Sequence, residues 1–307
     1  MPRGQKPKFD HETELKIMAE YESGVGSTTV GKKYGVDKAT VWNILRRHGR
    51  GASIRSKKEG HHKLALKEDS FDIDTEESLY WAGFIMADGC IHYPKSVNYN
   101  LQPMVIVSLA QRDREHLIKL KTFLGSDHVV RDKMSKCSNG SFSPSSRFSV
   151  VSRKLAEGLE RFGVVPNKSK RSSAAEFACR SRHFWRGAVD GDGCIHYSLP
   201  RNKEGSGQGS IALDLLGTKS LCIQFAKYCY SLDQSIKAYL FHRKNYCWRI
   251  SVNGFGAWKV LRELYYDSSA FLSRKKSKAD HLVESFSSIK WRNMSADESR
   301  TANLVPR

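Results

Sequence analysis

The sequence predicts an α+β protein: two copies of an αββαββα unit related by a pseudo-twofold axis, preceded by a small three-helix domain. Three observations carry this. Ala87-Asp88-Gly89-Cys90-Ile91-His92-Tyr93 returns as Gly191-Asp192-Gly193-Cys194-Ile195-His196-Tyr197, six identities at an offset of 104 residues. After each copy, apolar positions switch between helical and two-residue periods in the same order. Ahead of both, residues 11–49 hold three short helix-like segments separated by glycines. So long a period marks a duplicated domain rather than a short-repeat solenoid.

The elements follow in order. His11–Ser23 places Leu15, Ile17, Met18 and Tyr21 at helical spacing and stops at Gly24. Ser27–Tyr34 starts in a Ser/Thr cluster and ends at Gly35, and Asp37 caps Lys38–His48, which Gly49 closes. With Gly35 as the tight turn, G-V-D-K-A-T-V-W has the pattern of a helix-turn-helix whose third helix enters a DNA major groove. Val41, Ile44 and Leu45 would form the small core, with Lys38, Thr40, Asn43, Arg46 and Arg47 facing bases and phosphates. Three short helices would equally suit a protein-docking module; the basic exit from the third favours DNA. This domain is expected over 1–50.

Residues 51–70 lack periodicity and read as a basic linker, with Arg55, Lys57 and Lys58 placed to track a phosphate backbone. In the first repeat, 71–172, Thr75-Glu76-Glu77 opens a helix running to Asp88. Strands at Cys90–Tyr93 and Pro103–Leu109, helix Arg112–Leu124, strands His128–Asp132 and Arg147–Val151, and helix Lys154–Phe162 complete it. The second repeat, 173–285, has a helix to Asp192, strands Cys194–Ser198 and Ser210–Leu216, and helix Lys219–Leu232. Strands Ile236–His242 and Tyr246–Val252 and helix Ala257–Tyr266 follow. The copies end alike, Lys168-Ser169-Lys170 answering Lys276-Ser277-Lys278. Residues 286–307 form a tail whose last four, Leu304-Val305-Pro306-Arg307, read as the remnant of a thrombin site.

Composition narrows the function classes. No apolar run in the 307 residues approaches the length of a membrane span, and the basic start leads into no apolar leader segment. Seven cysteines, odd in number and without a C-x-x-C pair, argue against a disulfide framework or zinc ribbon and for a reducing compartment. The expected location is the cytoplasm of a prokaryotic or phage-host cell, or an organellar matrix, without secretion. The formal charge is +19, from 51 basic against 32 acidic residues. Residues 46–67 alone hold eight Lys/Arg against one acid. A polyanion is the expected partner, because Lys and Arg that neutralise phosphates release counterions.

Asp-Gly at a helix end is by itself a common stop. Here Asp88 and Asp192 stand where the helix dipole already presents negative charge, which costs roughly several tenths of a kcal/mol unless a cation compensates. The arrangement occurs twice, and small residues four apart, Gly83/Ala87 and Gly187/Gly191, precede both acids. Such spacing lets two helix backbones approach closely and bring both carboxylates to one point. Two oxygen ligands beside a basic surface suit Mg²⁺, which keeps several waters and takes phosphate oxygens, and suit phosphodiester hydrolysis.

Trp81-Ala82-Gly83-Phe84-Ile85-Met86-Ala87-Asp88-Gly89 and Trp185-Arg186-Gly187-Ala188-Val189-Asp190-Gly191-Asp192-Gly193 resemble the two signature motifs of monomeric LAGLIDADG homing endonucleases. Ser108-Leu-Ala-Gln-Arg-Asp-Arg-Glu-His-Leu with Phe123-Leu124-Gly125 is similar to the same family between its second strand and following helix. The resemblance covers roughly 72–285. It implies that the motif helices form the interface between the repeats, and that two four-stranded antiparallel sheets form a saddle over double-stranded DNA. Asp88 and Asp192 would be the metal ligands, helped by the carbonyls of Ala87 and Gly191, with Mg²⁺ as cofactor and Mn²⁺ or Ca²⁺ able to substitute. One carboxylate would serve each strand across the minor groove, leaving staggered ends. A basic residue near each scissile phosphate is also implied: Lys244 in the second half and Lys136 in the first. Met86 departs from the acid usual at its position, which Asp190 keeps, and Arg186 stands where a small residue is usual; unequal rates on the two strands would follow.

For base readout, alternating strand side chains should point into the major groove. His92, Lys95, Asn98, Asn100, Gln102, Arg131, His196, Ser198, Arg201, Lys237, Tyr239 and His242 are of suitable kinds, although polar residues also simply solvate an open sheet face. Because both halves lie in one chain, a monomer is expected on DNA. Two other readings of the scaffold are an intron-RNA maturase and a non-catalytic DNA-binding regulator.

Overall fold

The computed structural model describes residues 8–50, 64–94, 102–136, 140–198 and 210–297, the side chains of Ser198 and of residues beyond 285 excepted. The chain divides into two units, Met1–Lys63 and Leu64–Arg307.

In the first unit, α1 (His11–Glu22), α2 (Ser27–Lys33) and α3 (Lys38–Arg47) surround a core of Ile17, Tyr21, Val30, Val41, Ile44 and Leu45. Asp10 and Asp37 cap α1 and α3 by accepting the Thr13 and Thr40 amides at 2.7 and 2.8 Å. The cap of α2 is Gly26, not the Ser/Thr cluster, and it makes no side-chain bond. Gly24, Gly35 and Gly49 all have positive φ, as glycine stops require. Of the apolar positions on α1, Leu15 is 46% exposed. Glu14 is buried instead and takes Arg47 and His48 as partners.

In the second unit the repeated pattern is present in both copies. The first holds α4 (Glu76–Asp88), β1 (Gly89–His92), β2 (Met104–Ala110), α5 (Arg114–Phe123), β3 (Arg131–Lys136), β4 (Phe142–Val151) and α6 (Arg153–Arg161). A short helix α7 (Glu176–Cys179) leads to the second: α8 (Arg182–Asp192), β5 (Gly193–Ser198), β6 (Ser210–Gly217), α9 (Lys219–Leu232), β7 (Ala238–Lys244), β8 (Cys247–Asn253) and α10 (Gly254–Tyr265). A further helix, α11 (Ser273–Asp297), runs where the sequence suggests the repeat's end and a tail. Each sheet is antiparallel with its third and fourth strands exchanged in space, β1-β2-β4-β3 and β5-β6-β8-β7.

One face of each sheet is apolar and helix-covered: Ile91, Val105, Val107, Leu109, Phe148 and Val150 in the first, Ile195, Ile211, Leu213, Leu215, Ile250 and Val252 in the second. The other face is open, in keeping with antiparallel sheets that solvate one side.

Three differences from expectation have local causes. β3 starts at Arg131 rather than His128: β-branched Val129 and Val130 invite an earlier strand, but the register with β4 begins at Arg131↔Arg147. β4 extends back through a serine-rich stretch, because Ser135 and Ser145 hydroxyls meet at 2.6 Å and Ser146 donates to Asp132 at 2.6 Å. Residues 64–70, expected in the linker, pack on the first repeat, where the Lys67 amide donates to the Leu124 carbonyl at 2.8 Å.

Candidate active site

The site is built where α4 and α8 cross. A capping box starts α4: Thr75 accepts the Ser78 amide and Ser78 accepts the Thr75 amide. From Ser78 to Met86 every residue is buried, since one side faces α8 and the other a sheet. Glycines set the crossing distance. A Cβ at Gly83 would lie 2.0 Å from the Phe184 carbonyl oxygen, and one at Gly187 2.0 Å from that of Tyr80. One turn on, a Cβ at Gly191 would sit 2.3 Å from the Ala87 Cβ. The helix ends carrying Asp88 and Asp192 therefore meet.

Gly89 and Gly193 end these helices in extended conformation, not the left-handed one common for glycine caps. Space is the reason for glycine here: a Cβ would come within 2.5 Å of Ile85 Cγ2 and 2.4 Å of the Val189 carbonyl oxygen.

Two lysines supply the cations that this pair of helix ends needs. Lys275 Nζ donates to the carbonyls of Val189, Gly191 and Gly193 at 2.7, 3.0 and 2.7 Å. Lys168 Nζ donates to the Ala87 carbonyl. These carbonyls lie at the helix ends, where a helix runs out of amide partners (Val189 also accepts the Gly193 amide), and the positive charge opposes the dipole. The expectation that Ala87 and Gly191 lend their carbonyls to a metal meets a competitor, since both already accept from an ammonium.

Asp88 is exposed and Asp192 half-buried, so a phosphate has a route in. Protein crowding on its other sides, then repulsion from Asp192, pushes the Asp88 pKa up to about 6, against the pull of Lys275 and Lys168. Asp192 is raised by burial and held back by Lys168 and Lys275. Burial lowers both lysines; Asp192 and Asp88 counter it at Lys168, and Asp190 ahead of those two at Lys275. The four groups form one electrostatic cluster. Beside it, a cleft of about 310 Å³ is lined by Ala87, Lys168, Asp192, Thr218 and Cys247, among others. Among the described residues no group of three or more His, Cys, Asp and Glu side chains could hold a metal. Two carboxylates alone are a hard-oxygen donor set that fits Mg²⁺, Mn²⁺ or Ca²⁺ with water and phosphate completing the shell.

Lys244 lies opposite Cys247, a residue of that cleft. Lys136 lies opposite Phe142, on the strand side shared with Phe148 and Val150, and so points away from the open face. Lys168 and Lys275 were not among the sequence candidates. Their signal was the repeated Lys-Ser-Lys ending, but the structure matches Lys168 with Lys275 rather than with Lys276.

The open faces hold some of the expected readout residues. His92 shares its strand side with Cys90, and His196 with Cys194, away from buried Ile91 and Ile195. Arg131 opposes Arg147, and Tyr239 opposes Ser251. Gln102 and Lys237 are exposed just ahead of β2 and β7. His242 does not belong with them: it opposes Trp248, on the side of Leu240 and Ile250, and its ring lies against that indole. Ser198 ends β5, and Arg55, Lys57, Lys58, Lys95, Asn98, Asn100 and Arg201 lie outside the described residues. Arg147 and Arg249, on the open faces, were missed. In the first unit, Lys38, Asn43 and Arg46 are exposed, Thr40 is engaged by Asp37, and Arg47 by Glu14.

Arg186, which departs from the motif, and Asp190, which keeps its usual acid, are fully buried and fully engaged. Arg186 donates to the Ala270 and Leu264 carbonyls at 2.6 and 3.1 Å and to Glu76 at 2.7 Å. Asp190 accepts from Tyr80, Tyr265 and the Leu272 amide at 2.7, 2.6 and 2.6 Å. His116 extends this network: with the Tyr80 hydroxyl proton given to Asp190, its Nε2 donates to Tyr80 at 2.9 Å. That tautomer leaves Nδ1 buried without a partner, and burial drives the pKa down to about 3, so the ring is neutral.

No helix among the described residues is long and apolar enough to cross a membrane. No protein-family model and no curated protein matches the chain. Among solved structures, the chain is similar to the LAGLIDADG meganuclease I-AabMI bound to uncleaved DNA, at 15% identity over 70% of this chain and 91% of that one, TM-score 0.48. It is also similar to the LAGLIDADG homing endonuclease I-GzeII in complex with its DNA target, at 13% identity over 70% and 91%, TM-score 0.47. The third is meganuclease I-SmaMI bound to uncleavable DNA, at 12% identity over 73% and 94%, TM-score 0.46.

Proposed function

We propose that this protein is a site-specific DNA endonuclease of the LAGLIDADG homing type, hydrolysing both strands of a long duplex target and leaving staggered ends. The observation that carries the reading is the meeting of Asp88 and Asp192 at the joined ends of α4 and α8, flanked by Lys168 and Lys275. In this reading Asp88 and Asp192 hold Mg²⁺, with Mn²⁺ or Ca²⁺ able to take its place. When bound, the metal supplies activation of an attacking water and charge compensation at the leaving oxygen. Lys168 and Lys275 oppose the rise in both carboxylates' pKa and offset the charge of the scissile phosphates. Lys244, opposite the cleft residue Cys247, would assist in the second half. The two open sheets supply phosphate contacts and base readout from His92, Arg131, His196 and Tyr239. The three-helix unit adds affinity as a tethered second contact on DNA, an effective-concentration gain and not a catalytic one. One chain carries both halves, so the acting species is a monomer.

Purified protein with Mg²⁺ and a randomised duplex library tests this: discrete double-strand products are expected. An intact library, or cleavage that survives the double variant Asp88→Asn/Asp192→Asn, would overturn the proposal.

A further inference from the structure

Arg186 and Asp190 stand one turn apart on α8, and between them they grip the end of α10 and the segment that follows it. Arg186 takes the carbonyls of Leu264 and Ala270; Asp190 takes the Tyr265 hydroxyl and the Leu272 amide. Three residues beyond Leu272 comes Lys275, the lysine that closes the end of α8 through three carbonyls. In the first repeat α4 has no polar side chain at the matching positions, and the segment carrying Lys168 is tied instead through Ser172, whose carbonyl accepts from the Thr218 hydroxyl and whose amide donates to the Lys168 carbonyl at 2.7 Å. At an offset of 104 the matching positions on α4 are Ala82 and Met86, both apolar and buried. Lys168 instead follows Asn167, a residue with φ of +56°, and its ammonium reaches one carbonyl.

Burying a carboxylate is costly, and an apolar filling such as the first repeat's packs the same crossing without that cost. What the polar grip adds is geometry. All three hydrogen bonds to Asp190 are received by it, which suits an ionised, acceptor-only carboxylate. An Asn there would turn an amide group toward at least one of these donors. Leu272 cannot drift while its amide is held, and neither can the start of α11.

We infer that Asp190 is a positioning residue: by anchoring residues 266–272 it fixes Lys275 at the end of α8, so that one of two cutting centres depends on Asp190 and the other, served by Lys168, does not. The inference rests on the nuclease reading above. Hydrogen exchange on the metal-free full chain gives a readout independent of cleavage. In Asp190→Asn the 266–276 segment should lose protection while 160–172 keeps its own. Strand-resolved single-turnover cleavage then decides the role. Asp190→Asn should slow one strand by on the order of 100-fold relative to the other, as a misplaced catalytic group does. That strand should be the one slowed by Lys275→Met, and Lys168→Met should slow its opposite. Tyr265→Phe, which removes one donor and keeps the ring, carries the same test in milder form should Asp190→Asn not fold. Unchanged exchange, or equal slowing of both strands, overturns the inference alone. A wild-type protein that cuts neither strand overturns the nuclease reading with it.

Discussion

The two repeats share a crossing and a sheet topology, and differ in what each has built on them. On the open face of the first sheet Arg131 stands directly opposite Arg147, with Ser108 next in the row. Like charges opposed across antiparallel strands repel. At the corresponding place in the second sheet Arg249 lies 4.8 Å over the Phe241 ring, and Asp214 is 3.6 Å away. One face sets like charges side by side; the other neutralises much of its charge internally. Duplication has preserved the helix crossing because backbone atoms fill the place of a side chain there. The sheet faces carry no such steric veto, and they have diverged.

The largest effect should come from breaking what the repeats share. Gly83→Ala or Gly187→Ala places a methyl 2.0 Å from a backbone oxygen with no side chain to yield. Each should cost about 4 kcal/mol or more, read by denaturant unfolding. Gly217→Ala is the control: its nearest neighbour, at 3.0 Å, is the flexible end of Leu221, and the change should stay within about 1 kcal/mol of wild type. Equal losses at all three glycines would refute the steric account of the crossing.

A smaller effect separates the paired acids. The Asp88 pKa is raised to about 6 by the protein packed on its inner sides and by Asp192, above the roughly 3.9 of an unfolded chain. Between those values the folded protein binds a proton that the unfolded chain does not. Stability from this group is therefore full below about pH 4 and lost as pH rises through about 6. Without metal, Asp88→Asn should raise the melting temperature at pH 7 to 8 and flatten this part of the profile. Cleavage, on the proposed function, should rise through the same interval as Asp88 ionises. A wild-type melting profile that matches the variant's from pH 4 to 8 would count against the coupling of the two acids.

Much of this was legible in the sequence, for identifiable reasons. Gly83, Gly187 and the Asp-Gly pairs are local signals whose spacing alone carries the helix crossing. Val105, Val107 and Leu109 alternate because one sheet face is dry. The lysines were not legible in the same way. Lys275 is 82 to 86 residues from the carbonyls it closes, and only tertiary packing connects them. His242 was misassigned for another reason: alternation from Tyr239 reaches Phe241, and the bulge at His242/Lys244 comes too late to return His242 to the open face. Helix α11 escaped notice because Ser273–Lys278 reads as a charged stretch, while its buried residues, Lys275 among them, are not all apolar.

The finest test of the comparison is electrostatic. If the first sheet's arginines await phosphate or base edges, Arg147→Ala should weaken duplex binding and reduce the salt dependence of affinity by about 0.9 for each phosphate no longer neutralised. Arg249→Ala should do less, because Asp214 and Phe241 already hold that guanidinium. Removing Arg147 also relieves the repulsion from Arg131, so the free protein should gain a few tenths of a kcal/mol, roughly the scale of a cross-strand pair. Binding and stability thus move in opposite directions at the first sheet, a trade expected where charge is kept for a partner rather than for the fold. Equal salt slopes for the two variants would mean that the sheets meet DNA alike, whatever their unbound pairing.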